Sequence, residues 1–278
     1  MINGFKVITL CGSTRFKEEF FEAQKRLTLE GNVVITVGLF GHSGDDVVWT
    51  EGVKDMLDRQ HLAKIDLADE IFVINVGGYI GDSTRREIAY AEFKGKSISY
   101  LEEYRKPSLY DNYAALSELH DAGRISDEDF ELAGRDFDEK RKAFIADYNA
   151  CQGPWPYQWE NIDKVICGIL QQMGVISIDY SDLKDLYDVD CVYEVRIKGT
   201  GANDEEQLQG IINAIRSKYL AQLRSSKIVV VTLCASSDPS SLLEKFADCM
   251  DGLNVVWQTR TPPAEAMKIE LSIVYGLK

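Results

Sequence analysis

Three short stretches of this chain hold the residue types that chemistry needs. The first is Cys11–Arg15, "CGSTR", directly after an apolar run. A glycine there lets the backbone turn tightly and approach a ligand closely. Ser13 or Thr14 can cap the helix that follows, turning its N-terminal amides toward the same space, and Arg15 adds a fixed charge suited to phosphate or carboxylate. The second is "GGYIGDSTRRE", where Gly77, Gly78 and Gly81 permit unusual backbone, Tyr79 offers a face for a base or sugar, and Asp82, Ser83 and Thr84 offer capping oxygens. Glu87 has two readings at this level. Thr84-x-x-Glu87 fits a capping box, in which the carboxylate reaches back to an amide; alternatively the carboxylate turns into a cleft. The third is "LDRQHLAKIDLAD": Asp58 and His61 fall on one helical face, so the aspartate is placed to orient the imidazole. Asp66 and Asp69 flank the end of that helix, against its dipole. His42, in "GLFGHSG", and the rings of Phe40 and Trp49 complete the set that one cleft could gather, although core packing is the commoner fate of the rings.

Positioning these residues is the task of alternating strands and helices. The pattern predicts strands at Phe5–Leu10, Val33–Val37, Glu70–Val76 and Ser97–Leu101, with helices at Phe16–Leu29, Val53–Leu67 and Thr84–Lys94. Short apolar strands separated by helices indicate a parallel sheet covered on both faces, Rossmann-like or flavodoxin-like, and ligands of such sheets sit beyond the carboxyl ends of the strands. The turns after the first, second and third strands are therefore expected on one edge.

Beyond this lies a charged helical stretch, read as an acidic insertion or arm over residues 104–175 and ending in a helix at Ile162–Met173. Residues 176–278 return to an α/β pattern and are read as a second, smaller unit; the first domain is taken as 1–103. "VVTLCASSDPSSLLEKFADCMDGLNVVW" echoes the start of the chain, with Ala235 and Asp238 where Gly12 and Arg15 stand, as a degenerate repeat would.

Composition narrows the function classes. The formal net charge of −14 and the lack of a long basic track argue against a nucleic-acid polymer as ligand. A small anion held by amides and one or two arginines is compatible with that charge. No apolar run is long enough to span a membrane, and "MINGFKVITLCGS" carries no basic region before an apolar core, so no secretory signal is expected. Six scattered cysteines without a CxxC pair, and three histidines, suggest reduced thiols in the cytoplasm and no structural zinc; no metal and no cofactor is expected.

Together the turns resemble the nucleoside 2-deoxyribosyltransferase-like superfamily, which includes deoxynucleoside 5′-monophosphate N-glycosidases. The resemblance rests on "CGSTR", "ADEIFVI" and the small-residue turn entering "REIAYA", and covers about residues 5–101. It implies Glu87 as nucleophile at C1′ of the sugar, with Ser13, Arg15, Gly81 and Ser83 on the phosphate side. The family's aspartate before the third strand falls, counting back from Asp69, on His61. Either His61 takes over the proton handling, or Asp58 or Asp66 serves, or the chemistry is altered. The resemblance also implies a homo-oligomer in which neighbours complete a pocket. The expected function is N-glycosidic cleavage or transfer on a nucleoside or nucleoside 5′-monophosphate. The alternative is a non-catalytic nucleotide or nucleotide-signal binding module using the same pocket; a weaker third reading is an interaction protein with an empty pocket.

Overall fold

A computed structural model describes residues 1–171, 178–235, 239–260 and 269–278. The chain forms two units of near-equal length, Met1–Asp138 and Glu139–Lys278.

The first unit is a four-stranded parallel sheet of β1 (Val7–Gly12), β2 (Val33–Ile35), β3 (Glu70–Ile74) and β4 (Ser97–Tyr100), in the order β2-β1-β3-β4. Its helices are α1 (Lys17–Leu29), α2 (Val53–Leu67), α3 (Asp82–Phe93) and α4 (Leu109–Asp121). The alternation of β1 and β3 divides the core. Leu10, Phe72 and Ile74 pack with Phe20, Ala23 and Leu27 of α1 on one face. Cys11, Ile71 and Val73 pack with Leu62 and Ile65 of α2 and Ile88 and Ala91 of α3 on the other. Both faces of the sheet are thus covered, as the sequence pattern leads one to expect, and the helix limits of α2 are those read from the sequence.

Part of the stretch read as an arm packs on the first unit. Ala115, Leu116 and Leu119 of α4, with Ile125 and Ala133, are buried in the same cluster as α3, because the apolar residues of this charged stretch recur on one helical stripe. The long helix α5 (Asp127–Ala150) contains the division between the two units.

The second unit has a mixed sheet of β5 (Tyr157–Trp159), β6 (Cys191–Lys198), β7 (Ile228–Cys234), β8 (Val255–Arg260) and β9 (Glu270–Leu277), in the order β5-β6-β9-β7-β8. Helices α6 (Ile162–Leu170), α7 (Tyr180–Leu183), α8 (Asp204–Ala214), α9 (Leu220–Arg224) and α10 (Pro239–Ala247) accompany it. The described part of the helix expected at Ile162–Met173 ends at Leu170, and Met173 lies outside the described residues. The pair β7 and β8 is parallel like β1 and β2, but β9 runs antiparallel beside β7 where β3 runs parallel beside β1. Asp238, set against Arg15 in the sequence echo, lies outside the described residues.

A buried carboxylate organises one face of this sheet. Glu194, fully buried on β6, accepts hydrogen bonds from Tyr148 Oη (2.9 Å), Ser272 Oγ (2.8 Å), Trp159 Nε1 (3.0 Å) and Arg196 Nε (2.7 Å). The Arg196 guanidinium lies between the rings of Tyr148 and Trp155, at 4.7 and 4.8 Å. Removing only the acceptor takes the partner from four donors, one of them the Arg196 cation. Glu194→Ala is expected to cost roughly 3–5 kcal/mol, and Glu194→Gln less. Urea denaturation followed by tryptophan fluorescence measures the difference; equal stabilities of wild type and Glu194→Ala would contradict the role assigned to this network.

Candidate functional site

Strand order places a cleft in the first unit. Helix α1 leaves β1 toward β2 on one side, while α3 leaves the neighbouring β3 toward β4 on the other. The chain therefore parts between the carboxyl ends of β1 and β3, at the topological switch point where open parallel sheets hold ligands. A cleft of about 400 Å³ opens there.

Its floor starts at Gly12, at φ 150° and in register with Ile74. A Cβ at this position would stand 2.8 Å from the Ile74 carbonyl oxygen, so the strands can close only around a glycine. The turn after β3 likewise needs positive φ at Gly77 (61°) and Gly78 (73°). Gly81, by contrast, has an ordinary φ of −82° and serves as the N-cap of α3.

Sequence reasoning places Ser13 or Thr14 as a helix cap, but neither caps α1, whose N-cap is Phe16. Ser13 Oγ accepts a hydrogen bond from Arg15 Nε at 3.1 Å. Thr14 Oγ1 meets His42 Nδ1 at 2.8 Å, and Ser43 Oγ donates to the Thr14 carbonyl at 2.9 Å, tying the loop after β2 to the turn after β1. His42 in turn packs edge-on against Trp49, ring centroids 5.0 Å apart. Arg15 lies with its guanidinium 4.4 Å from the centroid of the Tyr79 ring and donates to Tyr79 Oη at 3.3 Å. Phe40 belongs to the core against Phe20 rather than to the cleft.

The capping-box reading of Glu87 is excluded by register. Helix α3 starts at Asp82 with Gly81 as N-cap and no side-chain cap, which makes Thr84 a buried third residue and puts Glu87 in the second turn. The first-turn amides thus have no side-chain partner at the cleft edge, where Gly81, Asp82, Ser83 and Thr84 form the lining. Ser83, Arg86 and Glu87 face the cleft together, as residues three and four apart on a helix do, and Arg86 donates to Ser83 Oγ at 3.4 Å.

Asp58 does not orient His61. Its carboxylate pairs with Lys54 Nζ (2.8 Å) and with an Arg124 guanidinium nitrogen (3.0 Å). Asp66 is outside the cleft lining and accepts a hydrogen bond from Tyr90 Oη at 2.8 Å. Asp69 accepts from the Val7 amide at 2.9 Å. Of the proposed site residues, the cleft gathers Gly12, Ser13, Thr14, Arg15, His42, Asp58, His61, Tyr79, Gly81, Ser83 and Glu87.

His61 turns inward. Its Nε2 lies 3.4 Å from Cys11 Sγ and 3.7 Å from Glu87 Oε2. Burial, with Lys64 adding to it and Asp58 opposing, pushes the imidazole down to about 4. Burial, reinforced by the charge of Asp58 and opposed by Cys11, Lys54 and Arg86, pushes the Glu87 carboxyl up to about 8. Burial likewise raises the Cys11 thiol well above its ordinary range. At neutral pH all three groups are therefore uncharged, and the contact of His61 with Glu87 is no ion pair. Among the described residues, Cys11, His61 and Glu87 form a grouping whose ligand-type atoms all lie within 4.8 Å of one another.

Sequence reasoning missed Cys11, Lys54 and Arg86 as members of this site. For the two cations the signal was present. Lys54, Asp58 and His61 recur at helical spacing on α2, and Arg86 follows Ser83 by three on α3.

Comparisons with known proteins do not return the family that the motifs suggested. No protein-family model and no curated protein matches the chain. Solved structures that match include the GTPγS-bound protofilament of CetZ2 from Haloferax volcanii, at 13% identity over 98% of this chain and 93% of that one, with a TM-score of 0.29. A type III plasmid segregation TubZ matches at 10% identity over 98% and 88%, with a TM-score of 0.30. At these scores the likeness says nothing of ligand or assembly for this chain. No family model and no curated relative supports the resemblance read from "CGSTR", "ADEIFVI" and "REIAYA", which is therefore corrected, and the glycosidase, hydrolase and transferase readings go with it.

The buried carboxyl also sets a pH dependence, governed by Glu87 and the groups around it: Cys11, His61, Asp58, Lys54 and Arg86. With a folded value of about 8 against 4.5 for a free carboxyl, the folded chain holds one more proton across that window, so stability falls as pH rises through it. His61 acts oppositely between about 4 and 6.5, where the unfolded chain holds the extra proton. Between about 6.5 and 8 only the Glu87 effect remains. In chelator-containing buffer, wild type should lose stability relative to Glu87→Gln by up to roughly 1.4 kcal/mol per pH unit there. Urea denaturation over a pH series reads this directly, and parallel curves for the two proteins would show Glu87 ionised in the fold.

Proposed function

We propose that the first unit binds a nucleotide in the β1/β3 cleft, without the glycosidic chemistry first considered. One observation carries this reading. The Gly12–Arg15 turn, the uncapped start of α3 and the cations Arg15, Lys54 and Arg86 converge on one cleft of about 400 Å³ at the switch point of a parallel sheet. Asp58, Asp82 and Glu87 share the lining with these cations and the overall charge is −14, so the positive charge is confined to single side chains, which suits a small anionic ligand and not a polymer.

The parts divide by chemistry. Ser13, Ser83 and the first-turn amides of α3 suit the oxygens of a phosphate, and Arg15 and Arg86 supply the charge. Tyr79, His42 and the half-exposed Trp49 offer ring faces and edges for a base. The volume fits a ligand of mononucleotide size. Association into homo-oligomers belongs to the same proposal, since the cleft opens on the surface where a neighbouring copy could cover it. No described helix is long and apolar enough to cross a membrane.

Thermal shift and calorimetry with nucleoside mono-, di- and triphosphates, the parent nucleosides and inorganic phosphate test the reading. A nucleotide is expected to raise Tm where its nucleoside does so weakly, and to be recovered unchanged. Arg15→Ala should weaken binding roughly tenfold, the worth of one charge-assisted hydrogen bond. Failure of every phosphorylated compound at millimolar concentration to shift Tm would refute it.

A further inference from the structure

We propose that Cys11, His61 and Glu87 form a binding site for a transition-metal dication, with zinc the best match, on the inner wall of the cleft. The inference is independent of nucleotide binding, because none of the three belongs to the groups assigned to phosphate or base.

Three elements meet to make the site. Cys11 is the penultimate residue of β1, His61 lies in the third turn of α2 and Glu87 in the second turn of α3. They offer one sulfur, one ring nitrogen and one carboxylate oxygen, with Sγ to Nε2 at 3.4 Å and Nε2 to Oε2 at 3.7 Å. Around a tetrahedral zinc, bonds of about 2.3 Å to sulfur and about 2.0 Å to nitrogen and oxygen put ligand atoms roughly 3.3–3.6 Å apart. The two edges that His61 makes are already close to those values, and the third lies within 4.8 Å.

Glu87 Oε2 supplies an independent sign. It is buried and makes no hydrogen bond of normal geometry, with only the weak donor thiol of Cys11 beside the carboxyl, although a carboxyl oxygen out of water normally has a full partner. A cation between the three side chains would satisfy it. The charges also close: thiolate and carboxylate together neutralise a dication, and the thiol proton and the carboxyl proton both leave to solvent as the metal–sulfur and metal–oxygen bonds form. The imidazole ligates through its Nε2, the ring nitrogen that already faces Cys11 Sγ and Glu87 Oε2. A sulfur, nitrogen and oxygen set favours zinc or cobalt over magnesium or calcium, which seek oxygens alone. His61 and Glu87 line the cleft whereas Cys11 is fully buried behind them, so the remaining coordination position faces the cleft. Such a position is open to water or to an oxygen of a bound ligand. None of this follows from spacing in the sequence, since the thiol and the imidazole are 50 residues apart.

The test uses the full chain, stripped with a chelator and titrated with cobalt(II) as a spectroscopic stand-in for zinc. The expected result is uptake of one cobalt per chain with a thiolate-to-metal charge-transfer band, reversed by zinc. Cys11→Ser should abolish the band, while Cys151→Ser and Cys191→Ser, at partly exposed thiols, should keep it. Circular dichroism establishes that each variant is folded. Glu87→Gln, which keeps shape and loses the anionic ligand, should retain the band with affinity at least about tenfold weaker, giving a second reading if Cys11→Ser is unstable. No band in wild type, a band undiminished in folded Cys11→Ser, or unchanged affinity in Glu87→Gln would each overturn the site. Because Arg15→Ala leaves all three ligands in place, it should bind cobalt normally, and the nucleotide and metal results are read separately.

Discussion

The close approach of β1 and β3 at Gly12 and Ile74 is the constraint on which the first unit depends. A side chain at Gly12 would meet both the Ile74 carbonyl and its Cβ, so the strands reach this spacing only because the position is bare. Everything that lines the cleft hangs from that contact. It sets where the backbone leaves β1 for Ser13 and Arg15, and where β3 gives way to the Gly77–Gly78 turn and then α3. It also fixes which side of the sheet Cys11 faces, one residue before the strand ends. Strand alternation then gives the same peptide two roles: the backbone at Gly12 faces ligand space, and the adjacent thiol faces the interior between α2 and α3.

Polar groups in this protein are buried in two contrasting ways. Glu194 in the second unit is surrounded by donors from Tyr148, Trp159, Arg196 and Ser272, and this saturation makes it a structural centre. Glu87 in the first unit has a thiol and an imidazole for neighbours and an oxygen without a partner. Carboxyls buried with all their bonds made hold a fold together. Those buried with a bond missing are places where something else can bind. The second kind is the rarer, and here it lies at the edge of a cleft lined by cations and carboxylates alike.

Much of the first unit was legible in the sequence, since short apolar strands and period-3.6 helices alternate without interruption and the glycine-rich turns announce the ends of β1 and β3. The orientation of Glu87 was not. Gly81, Asp82, Ser83 and Thr84 are all acceptable N-caps, and the pattern Thr-x-x-Glu selects the last of them; the fold selects the first, rotating the carboxyl inward by three residues of helix. The clustering of Cys11 with His61 was also hidden, as a contact between a strand and a helix some distance along the chain leaves no periodic trace. In the second unit the decisive omission was β9, "ELSIVYGL", whose central place between β6 and β7 turns an apparently parallel unit into a mixed sheet. Local motifs gave less than they promised for the family, because a glycine turn, an arginine and a helix start recur wherever a parallel sheet meets an anion.

The two walls of the cleft are held in different ways. On one side, Lys64 of α2 donates to the carbonyls of Thr36 and Val37 at 3.0 and 2.9 Å, and Thr9 Oγ1 donates to the Lys64 carbonyl at 2.9 Å, so helix and sheet are stitched at the point where β2 ends. On the other, the segment carrying His42 and Trp49 consists of single 3-10 turns joined to the rest through Thr14 and its neighbours. The first wall can meet a ligand with its shape already set and little ordering entropy to lose. The second, built of single turns, is the part whose length and sequence can vary without disturbing the sheet edge.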